Sequence, residues 1–193
     1  GNLQNTFSNK SLGKITSVDA SNAMKILIFY KDFSKIVFLD NTLSQNGSII
    51  SLEELQFFRT PLVCSSHNNG IWLYNPENFE LVRLDQDLKK QEQTGNIRQI
   101  VIPDVKLNPN FLIEYNNKIY LNNPESGVLI FDSYGTFYKN IPIKNIESFQ
   151  ALNDNIVFSK SNFIKTFNTK TLVEDSVVFP VAAISARMEK NKL

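Results

Sequence analysis

The chain has 193 residues, 42% of them hydrophobic, with 20 basic against 19 acidic side chains, so it carries an ordinary globular load of apolar residues and a net charge of +1. One Cys excludes a disulfide framework, no apolar run approaches the roughly 20 residues of a membrane-spanning helix, and the balanced charge provides no field that gathers nucleic acid or anionic lipid. Fifteen Phe, six Tyr and abundant Asn favour short strands joined by polar turns, because aromatic side chains suit a pleated half-buried surface and Asn tolerates left-handed backbone.

In chain order, one unit recurs. A polar turn containing Asn leads to an apolar strand, a bend, a second apolar strand closing on Asp or Asn, and a hairpin into a third strand. The first copy reads Ser21-Asn22, then Ile26 to Tyr30, then Ile36 to Asp40. The second reads Asn68-Asn69-Gly70, Ile71 to Tyr74, and Phe79 to Asp85; the third, Asn116-Asn117, Ile119 to Leu121, and Val128 to Asp132. The fourth reads Asn153-Asp154-Asn155, Ile156 to Phe158, and Phe163 to Asn168. From the first Ile to the closing residue the distance is 14, 14, 13 and 12 residues, and the closing residues recur at intervals of 45, 47 and 36. That is the period of a four-stranded blade.

Gly47, Gly95 and Gly135 are expected to supply the positive φ of the hairpins into third strands over Ser48 to Ile50, Ile97 to Ile102 and Thr136 to Tyr138. A shorter strand is expected before each unit, over Ile15 to Val18, Leu62 to Ser65, Phe111 to Glu114 and Phe149 to Leu152.

These features resemble the β-propeller superfamily in the broad sense that includes YncE-like, NHL-like and quinoprotein-like repeats. The resemblance implies an all-β, β-propeller-like fold of four to five blades of antiparallel strands. It rests on the repeat: Trp-Asp dipeptides, kelch Gly-Gly pairs and tryptophan-docking motifs are missing, so no functional residue is carried over. The expected division is a single propeller-like domain, 1–193, with blade units at about 12–55, 56–104, 105–144 and 145–180 and a partial fifth at 181–193. The last segment also suits a C-terminal helix by its Ala, Met, Glu and Lys content. Four blades and a fragment leave an open arc whose end sheets need a cover. Further chain, the segment Leu3 to Phe7 as an added strand, or another subunit in a homo-oligomer or larger complex would provide it.

Candidate chemistry is sparse. Cys64 and His67 stand three apart, a spacing that puts them on opposite faces of a strand and works against a nucleophile–base pair; a buried Cys64 and a turn His67 is the simpler reading. No catalytic, metal-binding or cofactor-binding residues are assigned. The recurring closing acid is read as an acceptor for the backbone of the turn that follows. Trp72, Tyr74, Tyr120, Arg59 and Tyr115 are residue types enriched in binding hot spots and are the partner-binding candidates, with the loop 103–110 as a further place to look.

The expectation is a non-catalytic scaffold or protein-binding module. The chain begins at Gly1-Asn2, the appearance an excised secretory leader leaves, so an extracytoplasmic site in the bacterial cell envelope is expected, against a cytoplasmic alternative. Two rivals come from other classes. One is an envelope carbohydrate- or peptide-processing enzyme using carboxylates such as Glu53, Glu54, Glu114, Glu174 or Asp175 at the propeller channel; the other is a small-ligand or sugar sensor.

Overall fold

The computed structural model describes residues 5–101, 105–178 and 188. The chain divides into two compact units, Gly1–Gln99 and Ile100–Leu193. The described residues form four antiparallel four-stranded sheets, each made of strands consecutive in the chain.

In the first unit, β1 (Ser17–Asp19), β2 (Ile26–Tyr30), β3 (Lys35–Leu39) and β4 (Ile50–Ser51) make the first sheet. The second contains β5 (Val63–Ser65), β6 (Ile71–Asn75), β7 (Glu80–Leu84) and β8 (Lys90–Gln93). The middle strands are continuous apolar runs because both faces are buried. Leu27, Phe29, Ile36 and Phe38 of the first sheet pack against Val63, Ile71, Leu73, Val82 and Leu84 of the second. The register Leu27↔Phe38 and Leu73↔Val82 puts each set on one face. The opposite face of the first sheet, with Ile28, Tyr30, Val37 and Leu39, is covered by Phe7, Leu12 and Ile15. This N-terminal segment lies in no strand; Lys10–Leu12 form a short 3-10 turn, and Leu3 and Gln4 lie outside the described residues. Among the described residues the cover is thus irregular chain, with no strand over Asn5 to Phe7.

In the second unit, β9 (Phe111–Tyr115), β10 (Lys118–Asn123), β11 (Gly127–Asp132) and β12 (Phe137–Ile141) form the third sheet. The fourth contains β13 (Gln150–Leu152), β14 (Asn155–Lys160), β15 (Phe163–Asn168) and β16 (Glu174–Val178). Tyr120, Val128, Ile130 and Ile141 meet Ala151, Ile156 and Phe158 across their shared core, with Phe149 edge-on to Phe111 and Tyr120. On the other face of the fourth sheet, the Gln150 amide donates to the Met188 carbonyl (2.9 Å) and accepts from the Met188 N–H (2.7 Å), the exchange of a β-bridge made by a side chain.

The closing residues act as turn acceptors in all four sheets. Asp40 Oδ1 accepts from the Thr42 and Ser44 amides at 2.8 and 3.0 Å, and Asp85 Oδ1 from Asp87 and Lys89, both at 2.9 Å. Asp132 Oδ1 accepts from Tyr134 and Thr136, and Asn168 Oδ1 from Lys170 and Thr171. The left-handed residue of each turn is Leu43, Leu88, Gly135 and Leu172, with φ of 62°, 62°, 84° and 61°.

Three expectations are corrected. Gly47 and Gly95 have positive φ but follow the turns rather than make them, since Leu43 and Leu88 take the left-handed position. The third strand of the second sheet is the polar run Lys90–Gln93 instead of Ile97 to Ile102: Lys90, Gln91 and Gln93 are exposed and Glu92 is half-buried, so this strand lacks an apolar signature. Ile97 sits in a 3-10 turn, fully buried, its amide bonded to the Phe79 carbonyl at 2.7 Å. The fourth sheet gains an outer strand, β16, that the repeat had not marked. The proposed fifth unit, 181–193, lies outside the described residues apart from Met188.

Candidate functional site

The aromatic partner candidates resolve into core and surface. Trp72 is completely buried, and Tyr74 and Tyr120 are 3% and 4% exposed, so these three present no side chain to a partner and are corrected to core residues. The reason is alternation on doubly covered strands: every position of β6 is buried. Burial pushes the Tyr74 phenol up to about 12, against a smaller opposing effect of Arg98. Burial, then Asp154 and Tyr115, push Tyr120 up to about 12 as well. Tyr115 is half-buried at the end of β9, where its hydroxyl accepts from the Asn153 amide at 3.1 Å and ties the third sheet to the fourth. Arg59 is exposed in a loop at φ 54°, beside exposed Phe58, while Phe57 packs on the core.

Cys64 is buried on β5, and His67 opens the 3-10 turn His67–Asn69 that precedes β6. There the buried Arg83 donates to Ser66 Oγ and the His67 carbonyl, both at 2.9 Å, and fastens the turn. Among the described residues no three His, Cys, Asp or Glu side chains gather as a metal site. Glu174 and Asp175 are successive strand residues on opposite faces of β16, and Glu53 and Glu54 are exposed in a loop. Of the loop 103–110, Pro103 and Asp104 lie outside the described residues. The remainder is pinned by the buried Asn123, which accepts from the Asn108 amide at 2.9 Å and donates to the Lys106 carbonyl at 3.1 Å.

A surface feature that residue-type reasoning missed lies in the second unit. The run from Pro142 to Asn145 walls a groove of roughly 310 Å³ whose floor is one face of the fourth sheet: Phe158 and Lys160 of β14, Lys165 and Phe167 of β15, and Glu174 of β16. The register Phe158↔Lys165 and Phe167↔Glu174 puts these side chains on one face. Lys144 and Lys160 are exposed and have no carboxylate partner among the described residues; Lys165 is held by Glu174 at 2.5 Å. The groove therefore offers two unbalanced ammoniums beside a partly apolar floor. The legible signal was a lysine at alternate positions in otherwise apolar strands, Phe158-Ser159-Lys160 and Phe163-Ile164-Lys165, where a period of two leaves a charge among core residues.

No family model matches the chain, and no curated protein matches it. Solved structures do. A virginiamycin B lyase from Staphylococcus aureus, solved with quinupristin, superposes with a TM-score of 0.59 at 15% identity, covering 91% of this chain and 58% of the lyase. A streptogramin B lyase gives 0.57 at 16% identity, covering 85% and 54%. YCF48 bound to D1 peptide gives 0.54 at 11%, covering 78% and 46%. The chain thus spans about half the length of these structures. The likeness is one of fold, that of a β-propeller.

Proposed function

We propose that this chain is a propeller-type protein-binding module whose binding surface is the groove over the fourth sheet. The observation that carries the reading is the pair of unbalanced lysines, Lys144 and Lys160, set beside Phe158 and Phe167. Ammoniums on flexible stems next to apolar surface suit an acidic polypeptide segment with some apolar content, because the charges steer encounter and the floor retains contact. Support of a weaker kind comes from a propeller solved with a bound peptide, YCF48. Location in a bacterial cell envelope belongs to the same proposal and is checked by fractionating the native host.

The test is retention of native proteins on immobilised protein, wild type against the double variant Lys144→Glu, Lys160→Glu. Expected is a protein retained near 0.1 M salt, lost when screening tightens toward about 1 M, and absent from the double variant. Retention of the same proteins by the double variant, or retention indifferent to salt, overturns the groove as the binding surface.

A further inference from the structure

Asn is followed by Gly twice, at Asn46-Gly47 and Asn69-Gly70, and the fold treats the two peptides in opposite ways. Asn is a labile residue because its side-chain carbonyl carbon lies within reach of the next backbone nitrogen, and Gly presents that nitrogen with no side chain in the way. The Asn69–Gly70 peptide is held at both ends: its carbonyl accepts from Lys25 Nζ at 2.8 Å, and its N–H donates to the His67 carbonyl at 3.2 Å. Gly70 is also buried, with its Cβ position only 2.5 Å from the Leu84 carbonyl oxygen, so the backbone has no room to swing.

The Asn46–Gly47 peptide has neither restraint. The Asn46 N–H donates to the Phe38 carbonyl at 2.8 Å in the bridge Leu39↔Gln45, and there the chain leaves β3. Among the described residues no hydrogen bond engages the Asn46 carbonyl, its carboxamide or the Gly47 N–H. Both residues are exposed, Gly47 takes a φ of 87°, and nothing stands within 4 Å of its Cβ position.

We infer that Asn46 is a self-modification site, converting to aspartate and isoaspartate in the folded protein while Asn69 is protected. The Gly47 nitrogen, having lost its proton to solvent base, attacks Asn46 Cγ. The N–Cγ bond forms, the Cγ–Nδ2 bond breaks, and the side-chain nitrogen takes up a proton and leaves as ammonia. Water then adds to either carbonyl of the succinimide ring and opens it to aspartate or to isoaspartate, with no change of oxidation state. Each conversion removes one unit from the formal net charge of +1. The isoaspartyl product also lengthens the main chain just ahead of β4, which pairs through Lys35↔Ser51 and Ile36↔Ile50.

The test incubates the folded protein in mildly alkaline buffer at physiological temperature. Tryptic peptides 36–59 and 60–83 separate the two sites and are followed by mass spectrometry, with fragmentation that distinguishes isoaspartate. Expected in the folded protein is conversion about tenfold faster at Asn46 than at Asn69, or more, with comparable rates at the two sites in urea. On ion exchange, an acidic form should accumulate in wild type and be largely lost in Asn46→Gln. If peptide 36–59 stays unconverted in the folded protein, or 60–83 keeps pace with it, the inference fails. It fails equally if Asn69 stays protected in urea, or if Asn46→Gln forms the acidic species as fast as wild type.

Discussion

Trp72 has the largest side chain fully removed from solvent, and its substitution tests stability, not recognition. Trp72→Ala is expected to cost about 3–5 kcal/mol in chemical denaturation, the range for truncating a buried aromatic. The closing residues make a finer test. A single Oδ1 serves the turn in each copy, and in the fourth copy that atom belongs to Asn168. Asp132→Asn should therefore be nearly neutral, whereas Asp132→Ala orphans two turn amides and should cost about 1 kcal/mol or more, read from the denaturation midpoint. Hydrogen bonds from Thr42 and Ser44 hold the Asp40 carboxyl below the usual carboxylate range, and those from Lys89, Asp87 and Gln91 do the same for Asp85. A depressed folded pKa stabilises above the unfolded value and loses that contribution as pH falls through the folded one. Thermal stability should accordingly fall on acidification below about pH 4, and Asp40→Asn should show a shallower acid limb.

Elements show where sequence reasoning had purchase. The middle strands β2, β3, β6, β7, β10, β11, β14 and β15 were legible because burial on both faces writes unbroken apolar runs, and the innermost strands because they precede them at a fixed offset. The outer strands were legible in part: the runs ending at Ile50 and beginning at Thr136 overlap β4 and β12, whereas the largely exposed Lys90–Gln93 carries no periodic signal and reads as loop, Ile97 reads as strand when it is an anchor in a 3-10 turn, and β16 was not marked. The groove was legible only as a lysine at alternate positions within single strands, because its lysines belong to different elements that only the fold brings together. Turn chemistry was half legible: the acceptor was read correctly, but Leu was not expected at a left-handed position. Leu43 stays there because it packs on the core beneath, while Leu172 is 63% exposed and gains no such return. Leu172→Gly should raise stability by about 0.5–1 kcal/mol, measured by denaturant melting. At Gly127 the sign reverses: φ is +115°, and an added Cβ would stand 2.1 Å from the Ile141 carbonyl oxygen, so Gly127→Ala should disrupt the β11–β12 pairing.

At the scale of the molecule, the repeat was the most legible property and the covering of its end sheets the least. The N-terminal residues Phe7, Leu12 and Ile15 sit in a stretch without strand periodicity, yet they cover one face of the first sheet, and Met188 reaches the fourth. Leu12→Ala should cost about 2 kcal/mol or more and raise binding of an apolar dye, since it opens the covered face. Each sheet is a meander of strands consecutive in the chain, so hydrogen-bonded partners lie within one repeat of each other. Low separation between partners shortens the loop that must close before a contact forms, which speeds folding and suits a chain emerging from the ribosome at a few residues per second. Each sheet can assemble once its own repeat has been synthesised, and the exposed face of the first sheet waits for the second to arrive. Translation order thus becomes assembly order within each sheet, whose outermost strand, β4, β8, β12 or β16, is the last of its four to be laid down.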